Sequence, residues 1–189
     1  MDGGQEIGGA LHRFSVHDYQ RMAEAGLFGI DARVELIRGT VRDLPAIGTP
    51  HLWTVNRLTM LFATRLAGRA IVSVQNSIRI LDHSEPEPDV VLLSPTADQT
   101  AHPGPADVLL VVEVSDSTIS YDRDVKGPLY AEAGIGEYWL VNLPDRAVEV
   151  HREPGADGYR QVARATAGIL HIAALPSFAI PIKEILPAA

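Results

Sequence analysis

A chain of 189 residues, 46% hydrophobic and 21% charged, has the length and balance of one well-buried globular domain. It contains no cysteine, which excludes disulfides, thiolate metal sites and cysteine nucleophiles, and its net charge of −8 weighs against the broad basic footprint of a nucleic-acid-coating protein. The N-terminus lacks the basic start and apolar centre of a signal peptide and no apolar run approaches the ~20 residues of a membrane span, so the chain reads as soluble and cytoplasmic, with no membrane partner.

In chain order, residues 1–13 read as a flexible, glycine-rich segment and 14–189 as a single domain. Phe14, Tyr19, Met22, Ala23 and Leu27, with Ser15 as N-cap, predict a short amphipathic helix. Val34 to Leu44 predicts a hairpin turning at Gly39-Thr40, with Glu35 in its first strand. A longer helix opens at Thr49 or Pro50 and runs to about Leu66, with Leu52, Val55, Leu58, Thr59 and Phe62 on one face. Ala70 to Leu81 reads as one bent strand or a strand pair, and Asp82–Pro88 as an acidic turn stiffened by proline.

The stretch from Glu87 to Tyr138 carries the chemistry. Two apolar strands each hold one acid: Asp89 opens the first and Glu113 stands near the end of the second, in Leu109-Leu110-Val111-Val112-Glu113-Val114. A carboxylate in such a run is costly to bury unless it is paired or binds a cation. If the two strands form a hairpin across Ser94–Ala106, the register that sets Asp89 opposite Glu113 puts both side chains on one face, and a slip of one residue separates them. Lys126 follows in a helix expected around Asp122–Ala133. Beyond it the pattern predicts strands at Glu137–Asn142 and Ala147–His151, a loop at Glu153–Gly158, weaker strands at Tyr159–Arg164 and Ile169–Ile172, and a proline-punctuated tail from Leu175.

Two carboxylates on neighbouring strand ends make a hard oxygen site suited to Mg²⁺. A nearby lysine can position a water or stabilise charge developing on a phosphoryl group. The same residues also have plain readings. Asp89 can be a loop acid after proline, Glu113 a partner of Arg79 or Lys126 in a buried ion pair, and Glu35 a strand residue paired with Arg33 or Arg38. Asp122 and Asp124 fit the helix dipole, and Tyr130 and Tyr138 read as packing with hydroxyls at the rim. Ser115, Asp116 and Ser117 make no nucleophile set, since no histidine is marked as their base.

Pro88-Asp89, Val111-Val112-Glu113-Val114-Ser115 and the helix D-x-x-K-x-x-x-Y-A-x-A-G-I-x-E-Y-W, with the upstream V-E-L-I-R-G and V-Q-N-S-I-R-I, closely resemble the bacterial Uma-two family of the PD-(D/E)XK nuclease superfamily. The likeness spans roughly residues 14 to 152. It implies an α/β, restriction-endonuclease-like fold, a mixed β-sheet flanked by helices. It implies metal binding by Asp89 and Glu113 and a catalytic role for Lys126, reaching in from the helix in place of a lysine at Ser115. Glu35 matches the family's upstream acid and Gln75 a polar position near the site, while Thr40 stands where relatives often carry a second acid. His51 lies near the hairpin in the family pattern, where it lines the cleft or caps its helix.

The expectation is a DNA endonuclease using Mg²⁺ or Mn²⁺. Homodimerisation is a further expectation, with the apolar strands after Glu137 as its interface. The alternatives are a silent binding protein that keeps the fold, or a hydrolase of a smaller phosphate ester. A basic stripe of Arg57, Arg65, Arg69, Arg79 and Arg123 beside the acids would favour the nuclease; a uniformly acidic cleft would favour the alternatives.

Overall fold

The computed structural model describes residues 11–29 and 31–186; most of the expected flexible segment therefore lies outside the described residues. Helix α1 (Val16–Glu24) is closed at its N-terminus by Ser15, whose hydroxyl accepts from the Asp18 amide while the Asp18 carboxylate accepts from the Ser15 amide. The hairpin β1 (Val34–Ile37) and β2 (Thr40–Asp43) follows. Arg38 and Gly39 between them both have positive φ, as the mirror-image two-residue turn requires to match strand twist.

A six-stranded sheet forms the centre, in the order β3 (Ile71–Val74), β4 (Val90–Leu93), β5 (Val108–Ser115), β6 (Glu137–Asn142), β7 (Ala147–Gly155), β8 (Gly158–Ala165). All neighbours are antiparallel except β5 and β6, which are parallel. That pair needs a crossover, supplied by α3 (Ile119–Tyr121), a π-helical segment (Asp122–Lys126) and α4 (Gly127–Glu132).

Both faces of the central strands are covered, and this explains their continuous apolar runs. On one face Val90, Leu92, Leu110 and Val112 pack with α2 (Thr49–Arg65) and the β9–β10 hairpin (Ile169–Ile172, Leu175–Pro181). On the other, Val91, Leu93, Val111 and Leu140 pack with Leu129, Tyr130, Ile37 and Ile78. Glu113 shares that second face with Val111, two residues back. The result is a single mixed α/β domain, a central sheet flanked by helices. No helix among the described residues is long and apolar enough to cross a membrane.

Several expectations are corrected. Leu52 is exposed, and the buried side of α2 is made by Thr54, Val55, Leu58, Leu61 and Phe62. Only the first half of 70–81 joins the sheet. The chain bends at Gln75, which has positive φ, and Ile78 and Ile80 bond to the 84–86 turn instead. Of residues 153–158, expected as a loop, 153–155 extend β7, Gly158 opens β8 and only 156–157 form the turn between them, and the tail from Leu175 forms β10. Of the strands after Glu137, β6 and the first half of β7 are buried within the chain, while β8, at the edge of the sheet, is largely exposed.

Candidate active site

The register decides the site. Val90 faces Val112 and Val91 faces Val111, so the ladder carried back one step sets Asp89 opposite Glu113, the register the chemistry requires. The two acids are cross-bonded through the backbone: the Asp89 amide donates to Glu113 Oε2 at 3.3 Å and the Val114 amide donates to Asp89 Oδ2 at 2.8 Å. Both carboxylates are thereby held where the sheet ends and the crossover begins.

Lys126 closes the π-helical segment, whose widened turn is marked by the Gly127 amide donating to the Asp122 carbonyl. Such turns alter which side chains point inward. Lys126 Nζ lies 2.7 Å from Glu113 Oε1 and 3.2 Å from Glu35 Oε2. Tyr130, one helical turn further on, donates its hydroxyl to Glu113 Oε1 at 2.6 Å. Glu35 also accepts from the Tyr121 hydroxyl at 3.1 Å and from the Glu87 amide at 3.2 Å. Glu35, Glu113 and Lys126 are each at most 3% exposed. Burial of this kind is tolerable only when every charge has partners.

Titration follows from the burial. Burial pushes the Glu113 carboxyl up to about 8 against the opposing pull of Lys126. Burial also works against the Lys126 ammonium, but the Glu113, Glu35 and Asp122 carboxylates outweigh it and its pKa is raised. Burial raises Asp122 as well, opposed by Lys126 and by the hydroxyls of Ser115 and Thr118, which both donate to its Oδ2 at 2.6 Å. Ser115 therefore ties the end of β5 to the π-helical segment.

His51, near the start of α2, places Nε2 2.9 Å from the Asp89 carboxylate, and its buried Nδ1 has no hydrogen-bond partner. Gln75 reaches Asp89 Oδ1 at 3.4 Å. The structure thus brings together all four predicted residues and the two polar positions with them. It also corrects some neighbours. Asp122 does open the π-helical segment but also stands inside the cluster, Tyr130 and Tyr138 are fully buried rather than at the rim, and the Tyr138 hydroxyl donates to the Asp122 carbonyl.

These groups open into a cleft of about 440 Å³. Glu35, Asp43, Glu87, Asp89, Glu113, Asp116 and Asp122 line it, against Arg33, Arg42 and Lys126. The arginine stripe that would favour the nuclease is absent from its lining. Arg65, Arg79 and Arg123 pair with Glu184, Glu85 and Glu149, Arg57 donates to the Leu186 carbonyl, and Arg69 lies over Phe178. Among the described residues no set of three histidine or acidic side chains is arranged to hold an ion. Two adjacent carboxylates lining an open cleft fit a hard cation that keeps most of its waters, and not one that needs an all-protein cage.

Against known proteins, no curated protein matches the chain. Among solved structures, the crystal structure described as a putative nuclease belonging to DUF820 from Anabaena variabilis is similar to it, with a TM-score of 0.71 at 14% identity over 91% of this chain and 97% of that one. At that identity the likeness shows the fold alone. The Uma2 family model, described as "Putative restriction endonuclease", matches residues 16–183, which include the cleft, its acids and the crossover. The chain belongs to the Uma2 family.

Proposed function

We propose that the protein is a metal-dependent endonuclease that hydrolyses phosphodiester bonds of DNA. The observation that carries this reading is the convergence of Asp89, Glu113, Lys126 and Glu35 from four separate elements on one cleft. The family and the fold support a nuclease in general terms, and the paired acids of the cleft support the metal and the phosphodiester substrate.

Asp89 and Glu113 would hold Mg²⁺ or Mn²⁺. When bound, such an ion lowers the pKa of water and polarises a phosphodiester. Water attacks phosphorus, the bond to the leaving sugar oxygen breaks, and the products are a phosphate monoester end and a hydroxyl end. The chain's own part is electrostatic. Lys126 fixes Glu113 from behind and adds a permanent positive charge beside the reacting phosphate. Glu35 and Tyr130 hold that ammonium and carboxylate in one orientation. His51 and Gln75 do the same for Asp89.

The acid-dominated cleft favours a second reading, hydrolysis of a smaller phosphate ester. Plasmid nicking and turnover of an aryl phosphodiester, each with Mg²⁺ or Mn²⁺, separate the two. The expectation is nicking that is lost in both Asp89→Asn and Glu113→Gln, substitutions that preserve side-chain shape, in variants whose folding is checked by circular dichroism. Turnover of the small ester without nicking supports the second reading. No turnover of either, or nicking unchanged in both variants, overturns the assignment.

A further inference from the structure

The cleft is suited to a strand that is not base-paired. Glu113, 3% exposed, lies at its floor, so a scissile phosphate must descend into about 440 Å³. That is at the lower end of the roughly 300–1,000 Å³ of ligand pockets, room for one nucleotide and not for a base pair. One wall is the apolar loop Leu44-Pro45-Ala46-Ile47-Gly48, in which Ile47 is exposed. Apolar surface is a poor neighbour for a backbone phosphate and a good one for the face of an unstacked base.

The positive charge of the cleft is equally restrictive. Of the cleft's cations, Lys126 is buried between Glu113 and Glu35, and Arg33 pairs with Glu87 at 2.8 Å. Arg42 is exposed and, among the described residues, forms no ion pair. It stands opposite Glu35 in the hairpin register, and its guanidinium lies 5.2 Å from the centre of the Tyr121 ring. The ring restrains the guanidinium without neutralising it, leaving its donors for an oxyanion. A duplex binder neutralises several phosphates along both strands, and affinity rests on that count; this cleft offers one unpaired arginine.

Resting on the nuclease reading above, we propose that the substrate is single-stranded DNA, taken one unstacked nucleotide deep. Arg42 anchors a phosphate next to the scissile one, and the Leu44–Gly48 wall receives the base. Arg42 is a positioning residue and does not meet the reacting atoms.

The test is fluorescence anisotropy with a labelled DNA oligonucleotide, single-stranded and as its blunt duplex, in Ca²⁺. Cleavage of both follows in Mg²⁺. The single strand is expected to bind at least about tenfold more tightly than the duplex, with a salt slope of about −0.7, the value for one phosphate neutralised on a single strand. Arg42→Ala should lose about tenfold in single-strand affinity and raise KM more than it lowers kcat. Arg42→Lys should restore part of that affinity and Ile47→Asp should weaken it. Both side chains are exposed, so these variants fold. Equal binding of the two forms, or unchanged affinity in Arg42→Ala, overturns the proposal even if hydrolysis is robust. Selective single-strand binding that depends on Arg42 but is not followed by hydrolysis upholds it and instead removes the nuclease reading.

Discussion

Lys126 is surrounded by carboxylates and almost without solvent, so its removal tests how the cluster is held. Lys126→Met leaves Glu113 and Glu35 buried without a cation, and breaking a buried pair in this way costs about 3–5 kcal/mol. The sign with pH is fixed by Glu113. Its folded pKa of about 8 lies above its ordinary value of 4.5, so the native chain holds that proton longer than the unfolded one does. The stability this contributes is fully present below 4.5 and is lost as pH rises through about 8. Without Lys126 the fall steepens. Urea denaturation of both proteins should therefore show a larger difference at pH 8 than at pH 5, and a loss below about 1 kcal/mol at pH 8, the scale of an exposed pair, would show that the cluster is not held by charge. At this scale the sequence was legible where context made a charge costly: Glu113 in an apolar strand, Asp89 after proline. Arg42 was missed, because a turn read at Gly39-Thr40 sets Leu44 opposite Glu35, whereas the actual turn at Arg38-Gly39 shifts the register and sets Arg42 there. Tyr130 gave a weaker signal, its spacing of four from Lys126, because an aromatic in a helix reads first as packing.

Among the elements, the β1–β2 hairpin carries Glu35 into the cluster and Arg42 to the cleft wall, and its turn depends on Gly39. Gly39 has φ of +80°, and a Cβ there would meet Arg13 Cβ at 2.6 Å. Gly39→Ala should cost about 2 kcal/mol through strain and the clash together. It should also shift Glu35 relative to Lys126 and lower activity beyond the loss of folded protein. A thermal melt and an activity assay well below the melting temperature check both, and a variant as stable and active as the wild type would show that the hairpin is not set by this turn. The other elements were unevenly readable. The helix α2 and strands β4 to β6 followed from periodicity and apolar runs. Both strands of the β7–β8 hairpin were read as well, but not the extension of β7 to Gly155, because Glu153-Pro154-Gly155 is turn chemistry used within an edge pair. The π-helical segment is invisible to periodicity, yet it sets the direction of Lys126, since one residue of helical phase turns a side chain by about 100°.

For the whole molecule, the net charge of −8 has a structural account. Much of the arginine complement is spent on ion pairs away from the cleft, and the acids left in the cleft outnumber its cations. Composition showed the imbalance but could not show where the arginines would go, because their partners Glu184, Glu85 and Glu149 are distant in sequence or reached only through the fold. An acidic cleft repels a phosphate strand until a cation joins it, so the central claim is that the Asp89–Glu113 pair recruits that cation. Isothermal titration calorimetry of Mn²⁺ into the wild type and Asp89→Asn is the direct measurement. The account predicts about one ion per chain, bound with release of protons because the ligands must be ionised, and no binding in the variant. No heat in the wild type at millimolar Mn²⁺, or the same isotherm in both proteins, would contradict it and leave the acids as partners of Lys126 and His51 alone.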